Sequence, residues 1–393
     1  MRAVSVFSAF LISALAALTG QGVPPVAAAQ APVSVAPADD LQAAIAKLGD
    51  LDYSTRMNAA RVVRRAPAPQ AAGALTVAVR DSDDQFVRFR ALILLTGFAD
   101  RTTADLMRSL VSDRNDRIRE VVYRWLAVRP QPVLAPTLLA ALQTEQAEFV
   151  RPALVKALAA VGTDPTVQRA LIGEVARGQD FFRLGVIDAL GEFKATYARD
   201  AITEVAKIDG PLQDDAVLSL GRIGDRSSEA FLATLTTNSS EVTTALQAAR
   251  CLLGSDCETR VRAIADVMAT PGARAEAVRA AVTALAVLGA SGSDLALSTL
   301  LDFSGAARTQ DAATVAFGGA ALRNPDRLLN WLTQLPAPTR PQVIEILRSA
   351  FERFEEDFSE EQFFAAARAA YWRVSEGSPD RDLIASLIQK LEF

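Results

Sequence analysis

Side chains that move protons, hold metals or attack electrophiles are scarce in this sequence, and histidine is missing altogether from its 393 residues. Histidine is the commonest general acid–base group and metal ligand. Without it a Ser-His-Asp triad, a Cys-His pair, a His-bearing zinc site and a His-ligated di-iron centre are all excluded. Carboxylate-only chemistry stays open, yet no pair of Asp or Glu residues stands out from the solvated background. The two cysteines, Cys251 and Cys257, are six residues apart, so neither CxxC nor a zinc-ligand spacing is present. In an oxidising compartment they suit a short-loop disulfide that clamps one turn; two buried thiols are the alternative. No catalytic, metal-binding or cofactor-binding residue is assigned, no cofactor is expected, and the chain is read as a non-enzyme. Lys and Arg number 41 against 46 Asp and Glu, mixed along the chain for a net charge of −5. With no basic block, a nucleic-acid partner is not expected.

What does recur is arginine. Arg56, Arg88, Arg119, Arg151 and Arg183 follow one another at steps of 31 or 32 residues, and the last four each follow an apolar residue. Two residues before three of them stand Phe86, Phe149 and Phe181, with Phe182 and Phe89 nearby. Equivalent positions in a repeat protein line up along one edge, so exposed aromatics there would form a partner-binding stripe. Packing against the preceding helix is the alternative. Phe149 and Phe181 are the first choice for a partner contact, with Phe86 and Phe182 in the same row.

The elements that must carry these residues are helices. Half the chain is hydrophobic, only 6% is aromatic, and Ala and Leu dominate. The Arg-bearing segment reads as the second helix of a pair. The first is a shorter apolar stretch such as 137–142, 167–175 or 230–235. Asp-, Ser- and Gly-rich turns lie between them, at 81–84, 113–116 and 178–180. These supply N-cap acceptors for the second helix. Later copies at 216–225, 246–254, 282–289, 314–320 and 343–351 keep the apolar phase but lose the Arg. About ten such pairs fit between residues 40 and 358. A single pair cannot bury its own apolar face and stacked pairs can, so the expected fold is an all-α solenoid rather than separate domains.

The pattern Asp-x-x-Val-Arg-x-x-Ala-x-x-Ala-Leu-Gly-x-Ile-Gly-Asp, best matched over Asp215–Asp225, resembles the HEAT repeat in its short bacterial form named after phycobilisome lyases. The resemblance implies a right-handed superhelix of about ten antiparallel helix pairs, its inner face built from the second helices. It also implies that each ladder arginine pairs with a turn aspartate of its own or the neighbouring pair; Asp84, Asp116 and Asp180 stand three or four residues before Arg88, Arg119 and Arg183. A row of cations for an anionic partner is the other reading of the ladder. HEAT-like repeats are implied to be binding scaffolds in most settings and chromophore-lyase subunits in a few. The metal-dependent enzymes built on such repeats use His-Glu motifs, which this chain cannot supply.

The ends read differently. Met1-Arg2, an apolar run over residues 3–18, Pro24-Pro25 and Ala27-Ala28-Ala29 have the layout of a signal peptide (1–29) cleaved after Ala29, with an uncleaved anchor as the alternative. Residues 30–39 form a Pro- and Ala-rich linker, 40–358 the solenoid, and 359–393 a helical cap with one acidic, polar side. The expected protein is an exported scaffold or adaptor, periplasmic or extracellular, that binds another protein on its concave or edge surface. A cofactor- or chromophore-handling lyase-type subunit and a component binding cell-wall polymer are the alternatives.

Overall fold

The computed structural model describes residues 38–98, 102–354 and 358–391. The expected signal peptide and most of the linker lie outside them. Among the described residues every regular element is helical: twenty-two α-helices and two single 3-10 turns.

The helices come in antiparallel pairs. The first five are α1 (Ala38–Lys47) with α2 (Tyr53–Arg65), α3 (Ala68–Asp81) with α4 (Gln85–Thr96), α5 (Thr103–Leu110) with α6 (Asp116–Val128), α7 (Ala135–Thr144) with α8 (Arg151–Ala160), and α9 (Pro165–Val175) with α10 (Asp180–Glu192). The next five are α11 (Arg199–Ala206) with α12 (Gln213–Ile223), α13 (Ser228–Thr234) with α14 (Ser240–Leu252), α15 (Cys257–Ala269) with α16 (Ala275–Ala290), α17 (Asp294–Ser304) with α18 (Gln310–Arg323), and α19 (Pro325–Gln334) with α20 (Arg340–Phe351). These are the ten pairs expected from the sequence. An eleventh, α21 (Phe358–Arg373) with α22 (Pro379–Lys390), follows. Helix α1 begins at Ala38, inside the stretch expected to be linker.

Local chemistry sets the boundaries. Asp84 accepts from the amides of Phe86 and Val87 to start α4, and Asn115 accepts from Arg117 to start α6. These bonds satisfy amides that have no partner within the helix. Gly224 ends α12 at φ 78°, a left-handed conformation that costs glycine little.

Each second helix packs along the second helices of the adjacent pairs, and these contacts form a continuous inner layer. Its core is made of small and branched side chains, among them Ala91, Leu95, Val122, Leu126, Leu154, Leu158, Ile187, Leu190, Val217 and Leu220, all nearly or wholly buried. The first helices cover the outside. The buried apolar residues form two clusters, one built mainly from the first seven pairs and one mainly from the last four, with Leu218 packing against both.

The eleventh pair does more than cap an end. Helix α21 packs on α18 and α19 behind it and on α4 of the second pair, so the superhelix closes on itself. Phe358, at its start, belongs to the N-terminal core cluster, whereas Phe363 and Phe364 belong to the C-terminal one. The Phe363 ring meets Phe351 edge-on at 4.9 Å between centroids. The side expected to be acidic and solvated is partly inside: Glu361 is wholly buried and Glu360 nearly so. Glu361 Oε2 accepts from Arg64 Nε at 2.8 Å, and its Oε1 lies 3.4 Å from Arg368 Nη2. Arg368 also donates to Gly97 O at 3.1 Å, and Gln362 Nε2 to Thr96 Oγ1 at 3.1 Å. Gly97 has to be glycine here, because a Cβ would overlap the Glu361 carboxylate.

Candidate functional site

The arginine ladder is built into the fold. The last carbonyls of a helix have no intrahelical partner and sit at the negative end of its dipole, which attracts a guanidinium. Arg88 Nε donates to Val79 O at 2.8 Å, at the end of α3. Arg183 Nε donates to Val175 O at 3.0 Å, at the end of α9. Arg56 reaches Asp50 O and Leu51 O beyond α1, and Arg119 reaches Asp113 O beyond α5. Each ladder arginine of this group thus ties its own helix to the turn before it.

The carboxylate partners differ in part from those the HEAT resemblance implies. Arg183 pairs with Asp180 at 3.0 Å, as expected. Arg88 pairs with Asp113, a turn aspartate of the neighbouring pair, at 2.8 Å, also as expected, while Asp84 caps α4. Arg119 makes a two-pronged bond to Glu145 of the following pair, at 2.7 and 2.8 Å, where Asp116 had been expected. That bond holds the Glu145 carboxyl below its ordinary range. Arg151 stacks on Phe182 with its guanidinium carbon 3.6 Å from the ring centroid.

The role also persists where the ladder was thought to stop. Gln213 Nε2 donates to Ala206 O at 3.1 Å, and Arg340 donates to Leu335 O and Thr333 O at 2.9 and 2.7 Å. Gln213 stands 30 residues after Arg183, close to the ladder's step, so spacing was the available signal there.

The aromatic row divides. Phe86, Phe149 and Phe181 are 54%, 44% and 61% exposed, whereas Phe182 is 5% exposed. Phe182 therefore leaves the expected row: it points into the core, beneath Arg151. The three exposed rings stand at the N-terminal ends of α4, α8 and α10, on the edge made by the turns within each pair. Leu51, Tyr53 and Ile208 are exposed on the same edge, in the first and sixth pairs. None of these three was singled out from the sequence, although Tyr53 stands three residues before Arg56. In the third pair the equivalent position is Arg117. Its guanidinium lies 5.7 Å from the centroids of both Phe89 and Phe149. Arg90 likewise sits 5.6 Å over Phe86, and Arg56 5.6 Å over Tyr53. Large apolar side chains thus lie exposed along this edge in five of the first six pairs, with Arg117 in the third and cations stacked among them. A cleft of about 620 Å³, lined in part by Tyr53, Phe86, Arg117, Phe354 and Phe358, opens beside this edge.

The inner face carries a charge network. Lys156 of α8 reaches Asp188 and Glu192 of α10 at 3.1 and 2.7 Å, and Arg222 of α12 bonds Asp188. Arg323 of α18 comes within 4.0 Å of Glu192. Helices eight positions apart therefore face one another across the inner surface. Burial pushes the Asp188 carboxyl up, but Lys156, Arg222 and Arg323 outweigh it and hold the group well below the usual carboxylate range. Asp215 has the opposite fate: burial, then Asp214 and Asp188, push it up to about 7.

Cys251 and Cys257 are joined as a disulfide across the turn between α14 and α15. Among the described residues no group of three or more His, Cys, Asp or Glu is placed to hold a metal, and no helix is long and apolar enough to cross a membrane.

No curated protein matches the chain. A family model does match: residues 75–159, from the middle of α3 to the end of α8, match HEAT repeats, and the all-α stack of helix pairs around them is consistent with a HEAT-repeat solenoid.

Proposed function

We propose that this protein is an exported, non-catalytic scaffold that holds another protein along the edge formed by the turns within its first six helix pairs. The observation that carries this reading is the exposure of Phe86, Phe149 and Phe181 at equivalent positions. Large aromatics left in water on a folded surface are characteristic of contact sites, and they are the side chains that dominate binding energy once covered. The match to HEAT repeats supports the reading, because such repeats commonly mediate protein interactions. The sequence holds no histidine, the commonest general acid–base group and metal ligand. The ladder arginines are engaged with backbone carbonyls and neighbouring carboxylates or rings, so they serve the scaffold rather than an anionic ligand.

The test is affinity capture with the full tagged chain, expressed in its native cell, followed by mass spectrometry. A Phe149→Ala/Phe181→Ala double variant is run beside it. A protein recovered with the parent chain and lost from the variant supports the edge as the binding site. A partner retained by the variant rejects it. Fractionation of the same cells, with N-terminal sequencing of the purified protein, checks export: Gln30 as first residue in the envelope or medium supports it, and a cytosolic chain beginning at Met1 rejects it.

A further inference from the structure

We infer that the partner segment received by this edge is an amphipathic α-helix with apolar side chains one heptad apart and a carboxylate in register with Arg117. The inference rests on the edge being a protein-binding surface and names what that surface fits.

Four successive second helices, α4, α6, α8 and α10, present Phe86, Arg117, Phe149 and Phe181 two residues before the ladder arginine. Packed helices lie about 8–10 Å apart, so the four side chains form a row at roughly that interval. An α-helix laid along the row rises about 1.5 Å per residue and returns a side chain to nearly the same face every seven residues, about 10.5 Å on. A β-strand fits badly: its side chains face one way only at even steps, about 6.6 or 13 Å apart.

Charge fixes the register. Arg117 is exposed, and it has no ion pair among the described residues. Its neighbour Asp116 accepts from the Arg117 backbone amide at 2.8 Å. Arg114, in the turn just before, is likewise exposed without an ion pair among the described residues. The centre of the row is therefore cationic between Phe86 and Phe149, and it complements a carboxylate flanked by apolar residues. Exposed Asp83 and Glu148 stand beside Phe86 and Phe149 and oppose further acids at those positions. A cation between two rings also keeps much of its attraction for an incoming carboxylate, because the contact forms over apolar faces that exclude water.

The probe is a fluorescein-labelled helical peptide with Leu, Glu, Leu and Leu at successive heptad positions, compared with a scrambled peptide of the same composition. Binding to the full chain is read by fluorescence anisotropy. The heptad peptide is expected to bind about tenfold or more tightly than the scrambled one, a difference of about 1.4 kcal/mol. Arg117→Glu is expected to lose about tenfold and to regain it with a peptide whose Glu is replaced by Lys. That charge exchange separates recognition from misfolding, since a damaged protein would not be rescued. Equal binding of heptad and scrambled peptides overturns the inference, as does an Arg117→Glu variant with unchanged affinity. If the natural partner is lost from Phe149→Ala/Phe181→Ala but kept by Arg117→Glu, this inference fails while the edge stands. If the double variant keeps the partner, the edge itself is rejected.

Discussion

Arg64 Nε and Glu361 Oε2 lie 2.8 Å apart although 297 residues separate them, and both side chains are buried. With Arg368 on its other side, Glu361 is the carboxylate that reaches both guanidinium groups among the described residues where the superhelix closes. Arg368 is itself buried, and that burial pushes it down from the ordinary arginine range.

Removing one partner of such a buried set leaves the others uncompensated. Glu361→Gln is therefore expected to cost about 3–5 kcal/mol in urea unfolding, with early amide exchange in α21 and α22. Replacing all three charges with Met or Leu of similar volume is expected to recover most of that loss. A Glu361→Gln protein as stable as the parent would mean that the closure does not depend on this ion set.

Adjacent phenylalanines should behave oppositely. Phe182 lies in the core, so Phe182→Ala is expected to cost about 3–5 kcal/mol. Phe181→Ala removes a ring that is largely in water and is expected to change stability by about 0.5 kcal/mol or less. Thermal melts of the two variants, recorded side by side, check this directly. A large loss for Phe181→Ala would show that its exposed ring supports the fold.

Two inner-face carboxylates give stability opposite pH dependences in separate windows. Asp215 has a folded-state pKa of about 7 against an ordinary 3.8, so between those values the folded protein holds a proton that the unfolded chain has released. Its contribution is full below about pH 4 and is lost as pH rises towards 7. Asp188 is held low, so its contribution is present above its ordinary pKa and is lost as pH falls below it. Asp215→Asn is expected to flatten the decline between pH 4 and 7 and to raise stability at pH 8, on the order of 1–3 kcal/mol. Urea titrations across that range test it, and an unchanged slope in the variant would remove Asp215 as the cause.

Reducing the Cys251–Cys257 bond frees a short loop. The expected loss is about 2 kcal/mol, read as a lower melting temperature with dithiothreitol. A Cys251→Ser/Cys257→Ser protein should melt lower from the outset and ignore the reductant. No response in the parent chain would show that the bond contributes nothing to stability.

The ten pairs were legible because Arg56, Arg88, Arg119, Arg151 and Arg183 recur at nearly constant spacing, and because the apolar phase persists after the arginine stops. Repetition makes local packing visible in one dimension. The closure left no such trace: Glu361 meets Arg64, and Gln362 meets Thr96, at separations that nothing periodic marks. Glu360 and Glu361 read as a solvated face because acids between phenylalanines usually are one. The edge was half legible for a similar reason. Spacing put Phe181 and Phe182 equally close to Arg183, and only the rotation of α10 separates the exposed ring from the buried one. Arg117 breaks the aromatic pattern at its position, although its guanidinium, stacked against Phe89 and Phe149, completes the row.

A closed ring also counts. An open solenoid can gain or lose a pair at little cost, since each repeat answers only to its neighbours, and folding can begin anywhere and spread. Here α21 must arrive where α4 is waiting, so every pair between them sets the distance and angle of arrival. Deleting or duplicating one pair would leave Gly97 and Glu361 facing the wrong surfaces even if each remaining pair folded. The number of repeats is thereby held fixed by geometry.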